Sequence, residues 1–109
     1  GMGAQVGRPN DIVVSIVGDG GFQMTSQELM TIMQYKLPVK TVILNNGFLG
    51  MVRQWQEIFH SKRYSSVDLS MNPNFVKLGE AYGMTSIRIE KPEELESKLK
   101  EHLLSNEPV

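Results

Sequence analysis

The sequence predicts an α/β fold, an open parallel sheet with helices on both faces. Three observations carry that prediction. Short β-branched runs stand at residues 12–17, 39–44 and 85–90. Stretches with helical spacing of apolar residues separate them. Glycine, asparagine and proline mark the joins. Strands alternating with helices imply parallel strands joined by crossovers. Ligands in such sheets sit beyond the carboxyl ends of the strands.

The elements follow in order. "IVVSIV", Ile12 to Val17, lies between Asp11 and Gly18 and reads as a buried strand. Thr25 and Glu28 have capping-box spacing. The helix they open should bury Leu29, Met30, Ile32 and Met33 and stop before Pro38, because the residue ahead of a proline avoids helical angles. "VKTVIL", Val39 to Leu44, is the second strand. Gly50 to Phe59 reads as a helix with Met51, Val52, Trp55 and Phe59 on one face. Residues 60 to 73 are polar, carry no period and read as loop. Asn74 to Tyr82 is a further helix, with Gly83 suited to its left-handed C-cap. Thr85 to Glu90 is a third strand. Pro92 opens the last helix, where Glu93 and Glu94 favour the dipole and Leu95, Leu99 and Leu103 form a buried stripe.

Composition narrows the function classes. A chain of 109 residues suits one small domain, and 40% hydrophobic residues suit a packed core. The net charge of -1 gives no sign of nucleic acid or of a charged membrane surface. No apolar run is long enough to span a bilayer, and no signal peptide is evident. The absence of cysteine excludes disulfides and thiolate metal sites, and fits a cytoplasmic protein. Both ends read as cut, so residues 1–109 are expected to be part of a domain.

Asp19 lies just past the first strand, between Gly18 and Gly20-Gly21, and Asn45-Asn46 lies just past the second. Twenty-four residues separate Gly20 from Asn45, enough for one helix and a returning strand. Both strand ends then share one edge of the sheet, with adjacent strands ~4.8 Å apart. A carboxylate and a carboxamide are hard oxygen donors, suited to magnesium or calcium rather than zinc. Magnesium is commonly held by one or two side chains together with substrate phosphates. Gly20 and Gly21 leave backbone N–H groups open to a phosphate. The economical reading is a metal bridging Asp19, Asn46 and a diphosphate. Taken singly, each motif has a plainer meaning. A glycine-flanked Asp after a strand is a turn with a helix cap, and "NNG" is a turn signal. A dinucleotide site fits poorly, because Gln23 stands where the glycine fingerprint needs its third glycine, and no "GK[ST]" P-loop occurs.

"GDG", twenty-four residues, then "NN" resembles the motif of thiamine-diphosphate enzymes. "GDGGFQMTSQEL", "NNGFLGMVRQWQE" and "NPNFVKLGEAYGM" resemble, more narrowly, the large catalytic subunits of acetolactate synthases, over nearly the whole chain and within their C-terminal cofactor-binding domain. The resemblance implies thiamine diphosphate and Mg2+ as cofactors. It implies that Asp19, Asn46 and the Phe48 carbonyl ligate the metal, and that Gly18, Asp19, Gly20 and Gly21 meet the diphosphate. Leu49, Gly50 and Met51 would lie along the cofactor. Met51 and Trp55 would line the substrate approach, Trp55 helping to choose the second 2-keto acid. From its residues alone Trp55 reads as core, an aromatic on the apolar face of a helix. Arg53 reads as a solvated helix charge or a guide for a carboxylate substrate. His60 and His102 receive no catalytic role.

The implied reaction condenses pyruvate with a second pyruvate or with 2-oxobutanoate, releasing carbon dioxide, in branched-chain amino-acid biosynthesis. Other thiamine-diphosphate decarboxylases, carboligases and oxidases, and a non-catalytic diphosphate-binding or interaction module, are the rival readings. In the resembling enzymes an activating glutamate comes from a separate N-terminal domain, usually on the partner subunit, and a middle domain carries most FAD contacts. A homo-oligomer and a regulatory small subunit belong to the same expectation. The 109 residues are therefore expected to hold no catalytic residue and to be inactive alone.

Overall fold

A computed structural model describes residues 1–109. Two parallel strands, β1 (Val14–Gly18) and β2 (Lys40–Leu44), form the sheet. Six helices surround it: α1 (Met2–Gly7), α2 (Asp19–Gln23), α3 (Glu28–Gln34), α4 (Gly50–Phe59), α5 (Phe75–Ala81) and α6 (Pro92–Leu103). The strands run in register from Val14 opposite Lys40 to Gly18 opposite Leu44. Both therefore end level, and Asp19 and Asn45 leave the sheet side by side.

The core lies where α2, α3 and the segment after α5 meet the sheet. Phe22, Leu29, Ile32, Val39 and Met84 are buried together, with Val17, Ile43, Phe75 and Leu78 packed against them. Phe22 and Phe75 meet edge to face at 5.5 Å, a favoured aromatic geometry. Alternation along β1 turns Ser15 and Val17 inward and leaves Ile16 68% exposed, so β1 is buried on one face rather than throughout. Val39, just before β2, is fully buried. A side-chain carbon at Gly1 would lie 3.0 Å from its Cγ1. Its carbonyl accepts from the Val109 amide.

Several expected elements differ. Thr85 to Glu90 forms no strand, because it has no ladder bonds to a neighbour. Instead the outer edge of β2 is engaged by Val109, whose carbonyl accepts from Thr41 N–H at 2.7 Å. Beyond this contact a groove of about 360 Å³ opens between β2 and residues 86–89, floored by Phe75, Leu95 and Leu99. Leu99 and Leu103 are only half-buried along it, and Leu95 is exposed. The α6 stripe is amphipathic as expected but not covered.

Local signals also shifted. The capping box does not form: α3 begins at Glu28 after Gln27, without a side-chain cap, and Glu28 N–H bonds back to the Thr25 carbonyl. Met30 faces solvent rather than core. The glycine turn after β1 is in fact the first turn of α2. Residues 2–7, given no element by the sequence, form α1 around buried Gln5, whose Nε2 donates to the carbonyls of Arg8, Pro9 and Asp11. Other signals hold. Helix α4 spans Gly50 to Phe59. Asn74 caps α5, accepting from Lys77 N–H at 3.2 Å, and Gly83 takes φ +84°. Pro92, Glu93 and Glu94 open α6.

Candidate cofactor-anchoring site

Asp19 is the most constrained polar residue at the carboxyl end of the sheet. It is 1% exposed. Its Oδ1 accepts from Gly20 N–H at 3.0 Å. Its Oδ2 accepts from Gly47 N–H at 2.8 Å and from Asn72 Nδ2 at 2.7 Å. The bond from Gly47 joins the two halves of the sequence motif, GDG after β1 and NNG after β2. Gly47 takes φ +72°, a left-handed conformation that favours glycine and turns its N–H toward the carboxylate.

The second half of the motif is organised around the same loop. Asn45 Oδ1 accepts from Asn72 Nδ2 at 3.1 Å. Asn46 Oδ1 accepts from Phe48 N–H at 3.0 Å, an Asx turn that fixes the course of the loop. Asn46 itself is exposed. The Phe48 carbonyl accepts no hydrogen bond from the chain. Its two neighbours are tied to the loop before α5: Leu49 N–H donates to the Val67 carbonyl at 2.9 Å, and Leu69 N–H to the Gly47 carbonyl at 2.8 Å. Residues 67–69 therefore lie antiparallel across 47–49, with Phe48 opposite Asp68.

The glycines have a packing role besides any ligand role. A Cβ on Gly20 would come 2.5 Å from Leu49 Cδ2 and 3.1 Å from Leu69 Cδ1, so its bare α-carbon lets the two loops close on α2. A Cβ on Gly21 would stand 3.2 Å from Val17 Cγ2. The Gly20 amide already serves Asp19. Gly18 ends β1 with open space beside it, and Gly50 begins α4.

The outer flank of the site is apolar and open. Met51 is 68% and Trp55 60% exposed, with Val52, Ile58 and Phe59 exposed beside them. Trp55 stacks edge to face on Phe59 at 5.7 Å. The core reading of Trp55 is thus wrong for this chain: α4 turns its apolar face outward. Arg53 is not a solvated charge either. Its guanidinium lies 4.0 Å from the Phe48 ring centroid and 5.2 Å from that of Tyr64, in cation–π range of both. The Asp68 carboxyl is held below its usual range by the Ser70 backbone amide at 2.7 Å, then by the Ser70 hydroxyl and by Arg53.

Asn72, Gln23 and Gly47 are the site residues that sequence reasoning missed. Asn72 lies in a segment read as plain loop, and its partners are 53 and 27 residues away. Gln23 registers in the sequence as the residue that spoils a glycine fingerprint. In the structure its Nε2 donates to Asn72 Oδ1 at 2.7 Å.

Residues 1–109 match the family model described as "Thiamine pyrophosphate enzyme, C-terminal TPP binding domain". The chain belongs to that family. It is similar to a probable acetolactate synthase large subunit of Methanocaldococcus jannaschii, 52% identical over 98% of this chain and 18% of that protein. The mitochondrial acetolactate synthase of Schizosaccharomyces pombe is 51% identical over 99% of this chain and 16% of its own length. The acetolactate synthase isozyme 3 large subunit of Escherichia coli is 50% identical over 94% and 18%. Among solved structures, a thiamine diphosphate-dependent 4-hydroxybenzoylformate decarboxylase from Rhodococcus jostii superposes with a TM-score of 0.89 at 31% identity, over 97% of this chain and 20% of that one. The chain spans less than a fifth of the length of these curated relatives. As a TPP binding domain it is a thiamine-diphosphate module built on a parallel α/β sheet. No helix in it is long and apolar enough to cross a membrane.

Proposed function

We propose that this chain supplies the magnesium–diphosphate anchor of an acetolactate synthase large subunit. The observation that carries the proposal is the bond from Gly47 N–H to the buried Asp19 carboxylate, which ties both motif halves into one oxygen-rich corner. The residues present fit a hard cation. Three donors hold the Asp19 carboxyl in one orientation. The Phe48 carbonyl has no partner in the chain, and the Asn46 side chain stands at the surface of the same loop. No group of three His, Cys, Asp or Glu residues competes for a metal. Asp19, Asn46 and the Phe48 carbonyl would hold Mg2+, and the backbone from Gly18 to Gly21 would face the diphosphate. Leu49, Gly50 and Met51 would border the cofactor.

When bound, thiamine diphosphate supplies the nucleophilic carbon and the electron sink for 2-keto acid decarboxylation and carbon–carbon bond formation. This chain's share is orientation. Asp19 would neutralise part of the charge of a bound cation, whose chemistry would be to offset the diphosphate, a template role. The exposed Met51 and Trp55 give α4 an apolar flank suited to a small keto acid with a short alkyl group, pyruvate or 2-oxobutanoate. Identity near 50% to acetolactate synthases, against 31% to a decarboxylase, favours the carboligase reading within a shared fold. The residues that complete the chemistry, FAD binding, a homo-oligomer with a regulatory subunit, and a cytoplasmic setting in a prokaryote belong to this proposal for the whole protein. Residues 1–109 alone are expected to form no acetolactate.

The test is thiamine diphosphate titration of the full-length protein with and without magnesium, beside its Asp19→Ala variant. We expect magnesium-dependent binding to weaken at least a hundredfold in the variant. Equal binding would remove the anchor. Product analysis with pyruvate alone and with added 2-oxobutanoate separates acetolactate synthase from its decarboxylase rivals.

A further inference from the structure

Asn72 closes the anchor from the far side of the chain. Its carboxamide orientation is dictated by its neighbours. A carboxylate can only accept, so Nδ2 must face Asp19, and Oδ1 is left for Gln23. Side chains from four segments then form one network: Asp19 after β1, Gln23 at the end of α2, Asn45 after β2 and Asn72 before α5. Local structure does not require Asn72 to do this. Helix α5 has its own cap in Asn74, two residues on.

The network treats the two Asp19 oxygens unequally. Each carboxylate oxygen offers about two acceptor sites. Oδ2 has both filled, by Gly47 N–H and Asn72 Nδ2. Oδ1 takes only its neighbour's amide. We propose that Asn72 is a positioning residue for the cation anchor: by saturating Oδ2 it fixes the Asp19 rotamer and presents Oδ1 to a divalent cation. This rests on the anchor reading above. It also gives residues 60–74 a purpose. The backbone bonds at Val67 and Leu69 carry the loop across 47–49, and that crossing delivers Asn72 to Asp19.

The experiment titrates MgCl2 into the full-length protein with saturating thiamine diphosphate, following Trp fluorescence and thermal unfolding. Partners that orient a ligand commonly contribute ~10–100-fold in metal affinity. Asn72→Ala should raise the apparent magnesium Kd by that factor. The unfolding temperature without cofactor should change little, while the rise on adding cofactor and magnesium shrinks. Asn72→Leu, similar in volume but without a donor, should behave alike. Gln23→Met should shift the Kd threefold or less. A Kd within threefold of the parent in both Asn72 variants, with Asp19→Ala still defective, overturns the role of Asn72 and leaves the anchor standing. An unchanged Kd in Asp19→Ala overturns both. Failure of both Asn72 variants to fold would assign Asn72 to stability and overturn the proposal too.

Discussion

The two ends of strand β2 have opposite characters. At its carboxyl end the backbone feeds a polar network in which buried Asp19 accepts from three donors. Along its outer edge the chain offers Val109, a buried lysine and an open groove. The anchor is built from Asp, Asn, Gln and Gly, whereas the groove is lined largely by aliphatic side chains. They differ also in closure, because Asn72 covers the anchor while the groove stays open. Long-range donors serve both regions, Gly47 and Asn72 at the anchor and Lys40 and Thr41 at the outer edge, but only at the anchor do side chains close over the space.

The comparison can be broken most directly by deleting apolar volume on each side. Ile32 is buried against Val39 and Leu29, so Ile32→Ala should cost about 2–5 kcal/mol of unfolding free energy. Leu99 borders the groove and is half-buried, so Leu99→Ala should cost about 1 kcal/mol or less. Equal losses in denaturant melts would mean that the groove is as well packed as the core.

A smaller effect should come from Lys40, buried where β2 begins. Its Nζ donates to the Ser105 carbonyl at 2.7 Å, to Ser105 Oγ at 3.0 Å and to the Glu107 carbonyl. Desolvation holds its pKa below the usual lysine value, against an opposing pull from Glu107. The folded state therefore binds this proton less readily than the unfolded chain. Stability should rise as pH increases from the depressed folded pKa toward ~10.4, the unfolded value. Melting curves of wild type and Lys40→Met across that window should diverge by a few degrees, about what 1 kcal/mol produces in a chain this size. Parallel curves would remove Lys40 as the cause.

The smallest effect belongs to Asp68, exposed in the loop that crosses the anchor. Its folded pKa is depressed, so its contribution is present above the unfolded value of ~3.9 and lost as pH falls through the lower folded value. Asp68→Asn should melt slightly below the parent at pH 7, and the gap should close in acid below about pH 4. A gap that persists there would assign the loss to altered packing.

The same contrast explains what could be read from sequence. Helix α4, the caps at Asn74 and Gly83 and the entry to α6 at Pro92 are local signals, written within a few residues of where they act. Asp19 and the NN pair were legible because their spacing encodes a βαβ return. Thr85 to Glu90 has strand composition, but a strand is made by its partner, and none lies beside it. Asn72 was invisible for a related reason. A polar residue next to a proline in a loop looks the same whether it meets water or a carboxylate 53 residues earlier. Trp55 reversed its expected side because helical periodicity marks an apolar face without saying what covers it.

Val39 carries a kinetic consequence. Its side chain leaves no room for a Cβ at Gly1, and its carbonyl accepts from Val109 N–H. Pairing with β1 requires closing only the α2–α3 span, whereas the contact with Val109 requires closing a loop nearly three times longer. Loop closure grows costlier with length, though slowly, and long-range pairings slow folding. The fully buried residue just ahead of β2 is thus among the last to be sealed. Its neighbours can assemble early, but its backbone waits for the segment carrying Val109.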